Sequence, residues 1–251
     1  MESSMQDTRK TALVTGASRG IGAAIMQRLA AGGWRVIAHA TAESETFAAA
    51  RAAAGVRDAV FADLSGPHAG AQAFAAAIAR AGRIDALVNN AGVYEATPLK
   101  GPISDWDDGF ARTMAINVKA PADASRAAIA HFRENGGGRI VNVASRAGHR
   151  GDGADYAAYA ASKGALLAMT KTWARALSGE NILLYALAPG WVETRMAPED
   201  IEARRKAVAE IPLGRVAAPE EVAEMCAFLL SDACRSATGA TFDINGASYV
   251  R

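Results

Sequence analysis

Thr15-Gly16-Ala17-Ser18-Arg19-Gly20-Ile21-Gly22 places three glycines within eight residues, between an apolar run, Thr11 to Thr15, and a helical stretch over about 20–32. Glycines at such a junction let the backbone approach a pyrophosphate, and the unpaired N–H groups opening the helix face its negative charge. The same glycines elsewhere would mark an ordinary turn; the strand before and the helix after, whose apolar face includes Ile21, Ile25 and Leu29, give them weight. Gly16, Ser18, Arg19, Gly20, Ile21 and Gly22 are therefore candidate cofactor-binding residues.

Outward from this loop, six more short apolar or β-branched runs alternate with alanine-rich helical stretches: Trp34 to Ala40, Val56 to Ala62, Ile84 to Asn89, Arg139 to Ala144, Ile182 to Ala188 and Thr241 to Ile244. The helical stretches lie at about 20–32, 43–54, 67–81, 103–135, 156–179 and 219–231. Alternation of this kind calls for right-handed crossovers and a parallel sheet covered on both faces. The expected fold is α/β, a doubly wound, Rossmann-like sheet of seven parallel strands in one domain over 11–251, after a flexible tail over 1–10. Pro121 either breaks or kinks the long stretch 103–135. A segment over 190–213, with a short helical piece from Glu199 to Glu210, is too long for a plain connector and reads as a substrate lid.

Lysines and arginines number 27 against 26 acidic residues, so no broad field draws nucleic acid or an anionic membrane to this chain. No apolar run reaches the ~20 residues of a membrane span, and none resembles a secretory leader, which makes the cytoplasm the expected location. Cys226 and Cys234 lack histidines at ligand spacing, so neither a metal nor a disulfide is expected.

The tip of the second strand sets which nicotinamide nucleotide fits. An acidic side chain there bonds the ribose 2′-OH and repels a 2′-phosphate. This chain reads His39-Ala40-Thr41-Ala42, without an acid, and Arg19 offers a guanidinium to a phosphate. NADP(H) is expected to be preferred, with NAD(H) possible; Glu43 would reverse this if it turned inward, and Ala40 and Thr41 join the cofactor set.

Tyr159 and Lys163 stand four apart on a predicted helix, about 6 Å apart on one face. A phenol with a pKa near ~10 needs about 4 kcal/mol of preferential phenolate stabilisation to act near neutral pH, and an ammonium ~4 Å away at an effective dielectric of ~20 supplies about that. Small residues around the pair, Ala157, Ala158, Ala160, Ala161 and Gly164, leave room for a cofactor. Ser145 ends the preceding strand, at the edge where open α/β sheets place ligands.

These segments together resemble the short-chain dehydrogenase/reductase family over nearly the whole chain. The resemblance rests on the glycine loop, Asp63-Leu64, Asn89-Asn90-Ala91-Gly92, Asn117, Ser145, Tyr159-Ala160-Ala161-Ser162-Lys163 and Pro189-Gly190-Trp191-Val192-Glu193-Thr194. It implies an oxidoreductase moving a hydride between nicotinamide and a carbonyl or secondary alcohol carbon, with Tyr159 as general acid/base. Lys163 would also hold the nicotinamide ribose, Ser145 the substrate oxygen, and Asn117 a water in a proton relay. Asp63 and Leu64 would flank the adenine, Asn90, Ala91 and Gly92 would line the cleft, and Pro189, Gly190, Val192 and Thr194 would border the nicotinamide. Ser145 precedes Tyr159 by fourteen positions, one more than the family pattern, so the loop Arg146 to Tyr156 carries an added residue.

Substrate choice should lie in the loops Val93 to Ala96, Arg146 to Tyr156 and Trp191 to Leu213. His149 and Arg150 suit a carboxylate or phosphate, and Trp191 and Met196 an apolar group. Pro212-Leu213-Gly214-Arg215 and Pro219-Glu220-Glu221-Val222 are similar to segments of 3-oxoacyl-acyl-carrier-protein reductases, which makes a 3-oxoacyl thioester one candidate. Against it, Asn135-Gly136-Gly137-Gly138 and Ser178-Gly179-Glu180 stand where those enzymes place arginines for an acidic carrier, so a small ketone, alcohol or sugar stands level. The other readings are a catalytically silent nucleotide-binding regulator and an epimerase or dehydratase of the same superfamily. Leu166, Leu167, Met169, Trp173 and Leu177 make the helix after Tyr159 apolar on more than one face, pointing to a homo-oligomer, by resemblance a tetramer.

Overall fold

Period-two alternation along the strands sorts their side chains into two separate cores. On one face Val14, Val36, Val88, Val143 and Leu187 pack against Ile25, Met26 and Leu29 of α1 (Gly20–Ala31), Phe47 of α2 (Glu45–Ala53) and Val222, Cys226 and Leu229 of α9 (Pro219–Leu230). On the other, Leu13, Ile37, Leu87, Ile140 and Leu184 meet Phe74 of α3 (Ala69–Ala81), Phe132 of α5 (Ala120–Glu134) and Leu177 of α7 (Ala157–Leu177). Both faces being covered, the central strands are mostly apolar, as a parallel sheet requires, with Asn89 and Asn142 as buried polar exceptions.

The structure is a computed structural model that describes residues 9–195 and 200–251, without the side chain of Cys234. The first eight residues of the expected tail, Met196 and the start of the expected 199–210 helix at Glu199 lie outside the described residues. All seven expected strands form: β1 (Thr11–Val14), β2 (Arg35–Ala40), β3 (Asp58–Phe61), β4 (Ala86–Asn89), β5 (Gly138–Val143), β6 (Ile182–Pro189) and β7 (Thr241–Ile244). Every pairing is parallel, in the order β3-β2-β1-β4-β5-β6-β7. The order reverses between β1 and β4, and the carboxyl ends of these strands open a crevice there, the position at which doubly wound sheets bind ligands.

Pro121 neither breaks nor sharply ends its helical stretch. α4 (Ile103–Met114) runs into a wider π turn, Ala115–Lys119, where the Ala120 N–H reaches back to the Ala115 carbonyl, and α5 begins with Pro121 in its first turn. A proline costs nothing at that position, because its missing N–H has no helical partner to lose. The added residue between Ser145 and Tyr159 is taken up in a single turn of helix, α6 (Ala147–Arg150), and a 3-10 turn, Ala154–Tyr156, separated by Gly151 at φ +81°. Within the segment expected as a lid, Val192 bridges to Ala217 and α8 (Ile201–Ala209) is capped by the Asp200 carboxylate, which accepts the Ala203 N–H at 2.8 Å. Among the described residues no helix is long and apolar enough to cross a membrane, and no cluster of side chains is arranged to hold a metal ion.

Candidate active site

The crevice is a cavity of about 620 Å³ running from the glycine loop past Tyr159 to Trp191. At its phosphate end the loop is held from below. Gly16 donates its N–H to Nδ1 of His39 at 3.3 Å, Ala17 donates to the His39 carbonyl at 2.8 Å, and Asn90 Nδ2 donates to the Thr15 and Gly16 carbonyls at 2.9 and 3.1 Å. Gly22 fits only as glycine: a Cβ there would lie 2.2 Å from the Gly16 carbonyl oxygen and 2.4 Å from Asn90 Nδ2. The residue preceding α1, Arg19, makes no side-chain cap, so the first N–H groups of the helix face the cavity without a protein acceptor, as a pyrophosphate site requires. This end of the cavity fits a dinucleotide.

The remaining cofactor candidates from the sequence also line the cavity. Ser18, Arg19, Gly20 and Ile21 border the phosphate end; Ala40, Thr41, Asp63 and Leu64 border the end beyond the strand tips. Asn90, Ala91 and Gly92 form the floor, and Pro189, Gly190, Val192 and Thr194 the opposite wall. Glu43 is turned away from the cavity and pairs with Arg51 at 2.7 Å. His39 is buried at 2% exposure with its ring beneath the loop, and Arg19 and Thr41 both line the cavity.

At the other end, Ser145 and Tyr159 both line the cavity, and the serine hydroxyl acts on the phenol to lower its pKa. Ser145 Oγ also accepts the Ala147 N–H at 3.1 Å, so the first residue of α6 holds the hydroxyl in place. Lys163, 5% exposed, donates from Nζ to the Val143 carbonyl at 2.9 Å and lies 5.7 Å from the centre of the Tyr159 ring. Burial without a carboxylate partner pushes the lysine down to about 8. Burial also pushes Tyr159 up to about 12, with the Ser145 hydroxyl acting in the opposite direction. Lys163 is not among the groups that act on the phenol here, its ammonium being turned to the Val143 carbonyl.

Two expectations about site residues change. His149 does not line the cavity: its ring stacks on Tyr249 at 5.7 Å, since the turn of α6 points it away from Tyr159. Asn117, fully buried, lies behind the wall. Its Oδ1 accepts the Val93 N–H at 2.9 Å, and its Nδ2 donates to the Val93 carbonyl at 2.9 Å and to Ser162 Oγ at 3.1 Å. The side chain thus clamps the strand-to-helix loop; a Cβ on Gly92 would fall 3.2 Å from its Oδ1 and 3.5 Å from Lys163 Nζ, so the two side chains flank one spot.

The sequence flagged the substrate loops without naming the residues that matter most in them. Tyr94 stacks on Tyr156 at 4.2 Å and meets Tyr159 edge-on at 4.7 Å and Trp191 at 6.1 Å, forming an aromatic wall beside the catalytic phenol. Trp191 lines this end of the cavity, together with Arg146, Arg150 and Asp152. Arg146 was visible as the residue directly after Ser145 at the end of a strand; Tyr94 carried no signal beyond its place after Asn90-Ala91-Gly92.

A family model described as enoyl-(acyl carrier protein) reductase matches residues 16–247. A 3-oxoacyl-[acyl-carrier-protein] reductase of Thermotoga maritima is 35% identical over 242 residues, covering 94% of this chain and 96% of that protein. Among solved structures, a short-chain dehydrogenase from Burkholderia cenocepacia in complex with NADP superposes with a TM-score of 0.87 at 34% identity, covering 97% of this chain and 99% of that one. A 3-ketoacyl-(acyl-carrier-protein) reductase from Brucella melitensis complexed with NADH gives 0.85 at 32%, covering 96% and 98%.

Proposed function

This chain belongs to the short-chain dehydrogenase/reductase family, and from that membership we propose that it reduces the carbonyl of a 3-oxoacyl or small free carbonyl compound with NADPH. The observation that carries the reading is the contact of Ser145 with Tyr159 beside buried Lys163, at one end of a cavity whose other end fits a dinucleotide. Bound in that cavity, the nicotinamide supplies the hydride. Ser145 holds the substrate oxygen and Tyr159 donates a proton to it as negative charge develops there. Lys163, charged below about 8, steadies the phenolate that remains, and the aromatic wall of Tyr94 and Trp191 keeps water from the reacting carbon.

NADP(H) is the preferred cofactor in this reading, and NAD(H) a weaker one. Arg19 and Thr41 both line the cavity while Glu43 is occupied by Arg51, and of the two relatives' complexes described above one holds NADP and the other NADH. The relatives' substrates argue for a 3-oxoacyl thioester. One observation favours an unattached substrate: Arg133, at the end of α5, forks onto Glu180 at 2.6 and 2.9 Å, so this cation is already neutralised and is not offered to an acidic carrier. The ordered contact of Ser145 with Tyr159 also speaks for a working enzyme over a silent regulator, which needs only the cofactor cleft. Homotetramer formation and a cytoplasmic location belong to the same proposal.

The test is absorbance-monitored consumption of NADPH and NADH with acetoacetyl thioesters, simple ketones, diketones and keto-sugars. Turnover with NADPH ahead of NADH, abolished in Tyr159→Phe, is expected. Nucleotide binding without turnover of any of these would overturn the reductase reading.

A further inference from the structure

Arg146 is the residue after Ser145, and its main-chain N–H donates to the Pro189 carbonyl at 2.9 Å, which fixes it at the cavity wall. Its side chain is only 7% exposed, yet Nη1 has no hydrogen-bond partner. The nearest carboxylate, Glu210 Oε2, stands 3.7 Å from Nη2, beyond hydrogen-bond reach, and is held instead by Arg150 at 3.1 Å. A second carboxylate near this end, Asp152, is exposed and accepts the Gly153 N–H at 2.8 Å. The Arg146 charge also acts at the Tyr94 hydroxyl, whose ring lies edge-on to Tyr159. Buried polar groups in folded proteins are nearly always paired, so a guanidinium enclosed at a cavity wall and short of an acceptor calls for one from outside the chain.

We propose that Arg146 is a substrate-binding residue that takes the carboxylate of an oxo acid whose acid group lies a few bonds from the carbonyl held at Ser145 and Tyr159. The inference deepens the reductase reading and rests on it, replacing the thioester by a free acid. A single guanidinium with Nη1 unpartnered and Nη2 beyond hydrogen-bond reach of Glu210 matches a monoanionic, planar carboxylate; a phosphate would call for more donors than this wall supplies. Ser145 and Arg146 line the same end of the cavity, which favours a short acid, a 3-oxo or 4-oxo compound, and the aromatic wall takes its carbon chain. Burial and the neighbouring Arg150 lower the Arg146 pKa, with Glu210 and Asp152 opposing them, which is the environment an incoming anion relieves.

The test is calorimetric titration of the protein–NADP⁺ complex, in which no ketone can be reduced, with four- to six-carbon 3-oxo and 4-oxo acids and their methyl esters. The acids should bind at least about tenfold more tightly than the esters, the range of a charged hydrogen bond. Arg146→Met should bring the ratio near one. Glu210→Gln removes the carboxylate that competes for the arginine and should tighten acid binding about threefold, a fraction of a charged pair; it also serves if Arg146→Met does not fold. Equal binding of acids and esters, no binding of any acid, a preference that survives Arg146→Met, or unchanged or weaker acid binding in Glu210→Gln would each overturn the assignment. Acid-selective binding without turnover by the NADPH complex would instead count against the reductase reading and leave the acid site standing.

Discussion

His39 carries the phosphate loop on its imidazole, with Nδ1 accepting the Gly16 N–H at 3.3 Å and Nε2 facing the Ala62 carbonyl at 3.1 Å. Both bonds can form only in the neutral ring, protonated on Nε2. Burial lowers the His39 pKa below its ordinary value, with the Ala62 hydrogen bond opposing it. The unfolded chain takes up this proton near ~6.5 and the folded chain only at lower pH, so the unfolded state holds more protons and stability is lost as pH falls through that window. His131 and His149, also lowered by burial, act in the same direction on stability but lie away from the cavity. NADPH affinity, followed by cofactor fluorescence, should hold through the ordinary histidine range and weaken only at lower pH, where the buried His39 itself takes up a proton. His39→Asn should flatten that dependence; a profile identical to wild type would remove His39 from the account.

Lys163 gives the reaction a different pH limit. Its ammonium is charged below about 8 and neutral above, so kcat/KM for carbonyl reduction should be level up to that pH and decline beyond it. Tyr159→Phe should lower kcat by about 10²–10⁴ while NADPH still binds. A rate that keeps rising above pH ~9 in wild type would contradict the role given to the lysine.

Arg19 should set the cofactor ratio. Arg19→Ala should cut the preference for NADPH over NADH about 10- to 100-fold, the range of one charged hydrogen bond to a phosphate, and raise KM for NADPH more than for NADH. Equal loss with both nucleotides would place Arg19 at the shared pyrophosphate instead.

Asn117 should matter first for structure. Asn117→Ala removes three hydrogen bonds and strands the buried Val93 N–H and carbonyl, at a cost of about 2–4 kcal/mol in urea unfolding. Asn117→Asp, which keeps an acceptor for Val93 N–H but no donor, should fall between the two. Stability equal to wild type in both variants would show that the clamp carries no weight.

The sheet and the cofactor end were legible because their signals are local. Apolar runs, a glycine loop and an acid-free strand tip each describe their own neighbourhood, and Gly16, Ser18, Arg19, Gly20, Ile21, Gly22, Ala40, Asp63 and Asn90 all line the cavity. The Tyr159–Lys163 pair was equally plain from helical spacing. What the sequence did not disclose were choices made by packing: whether the Asn117 side chain faces the cleft or closes on Val93, and whether His149 or Arg146 turns inward. The four-residue helix α6 decides the latter, and nothing in Arg146-Ala147-Gly148-His149-Arg150 distinguishes it from an irregular loop. Pro121 is a case of the opposite kind, where the sequence marked the place and the backbone, by widening to a π turn, chose the outcome.

Asn89 and Asn142, paired neighbours in β4 and β5, lie on the face otherwise made of Leu87 and Ile140. Asn89 Nδ2 donates to Asn142 Oδ1 at 2.8 Å and to Ser125 Oγ at 3.0 Å, and Asn142 Nδ2 to Thr170 Oγ1 at 2.9 Å. Between these strands the chain runs through two helices, so their alignment is set late and over a long separation. Sliding β5 by one residue would turn Asn142 to the opposite core and orphan its partners, Asn89 in β4 and Thr170 in α7, together. An all-apolar seam would tolerate such an offset far more readily. The buried amides therefore act as a keyed joint: misaligned assemblies are rejected before the cavity above them can close in the wrong shape.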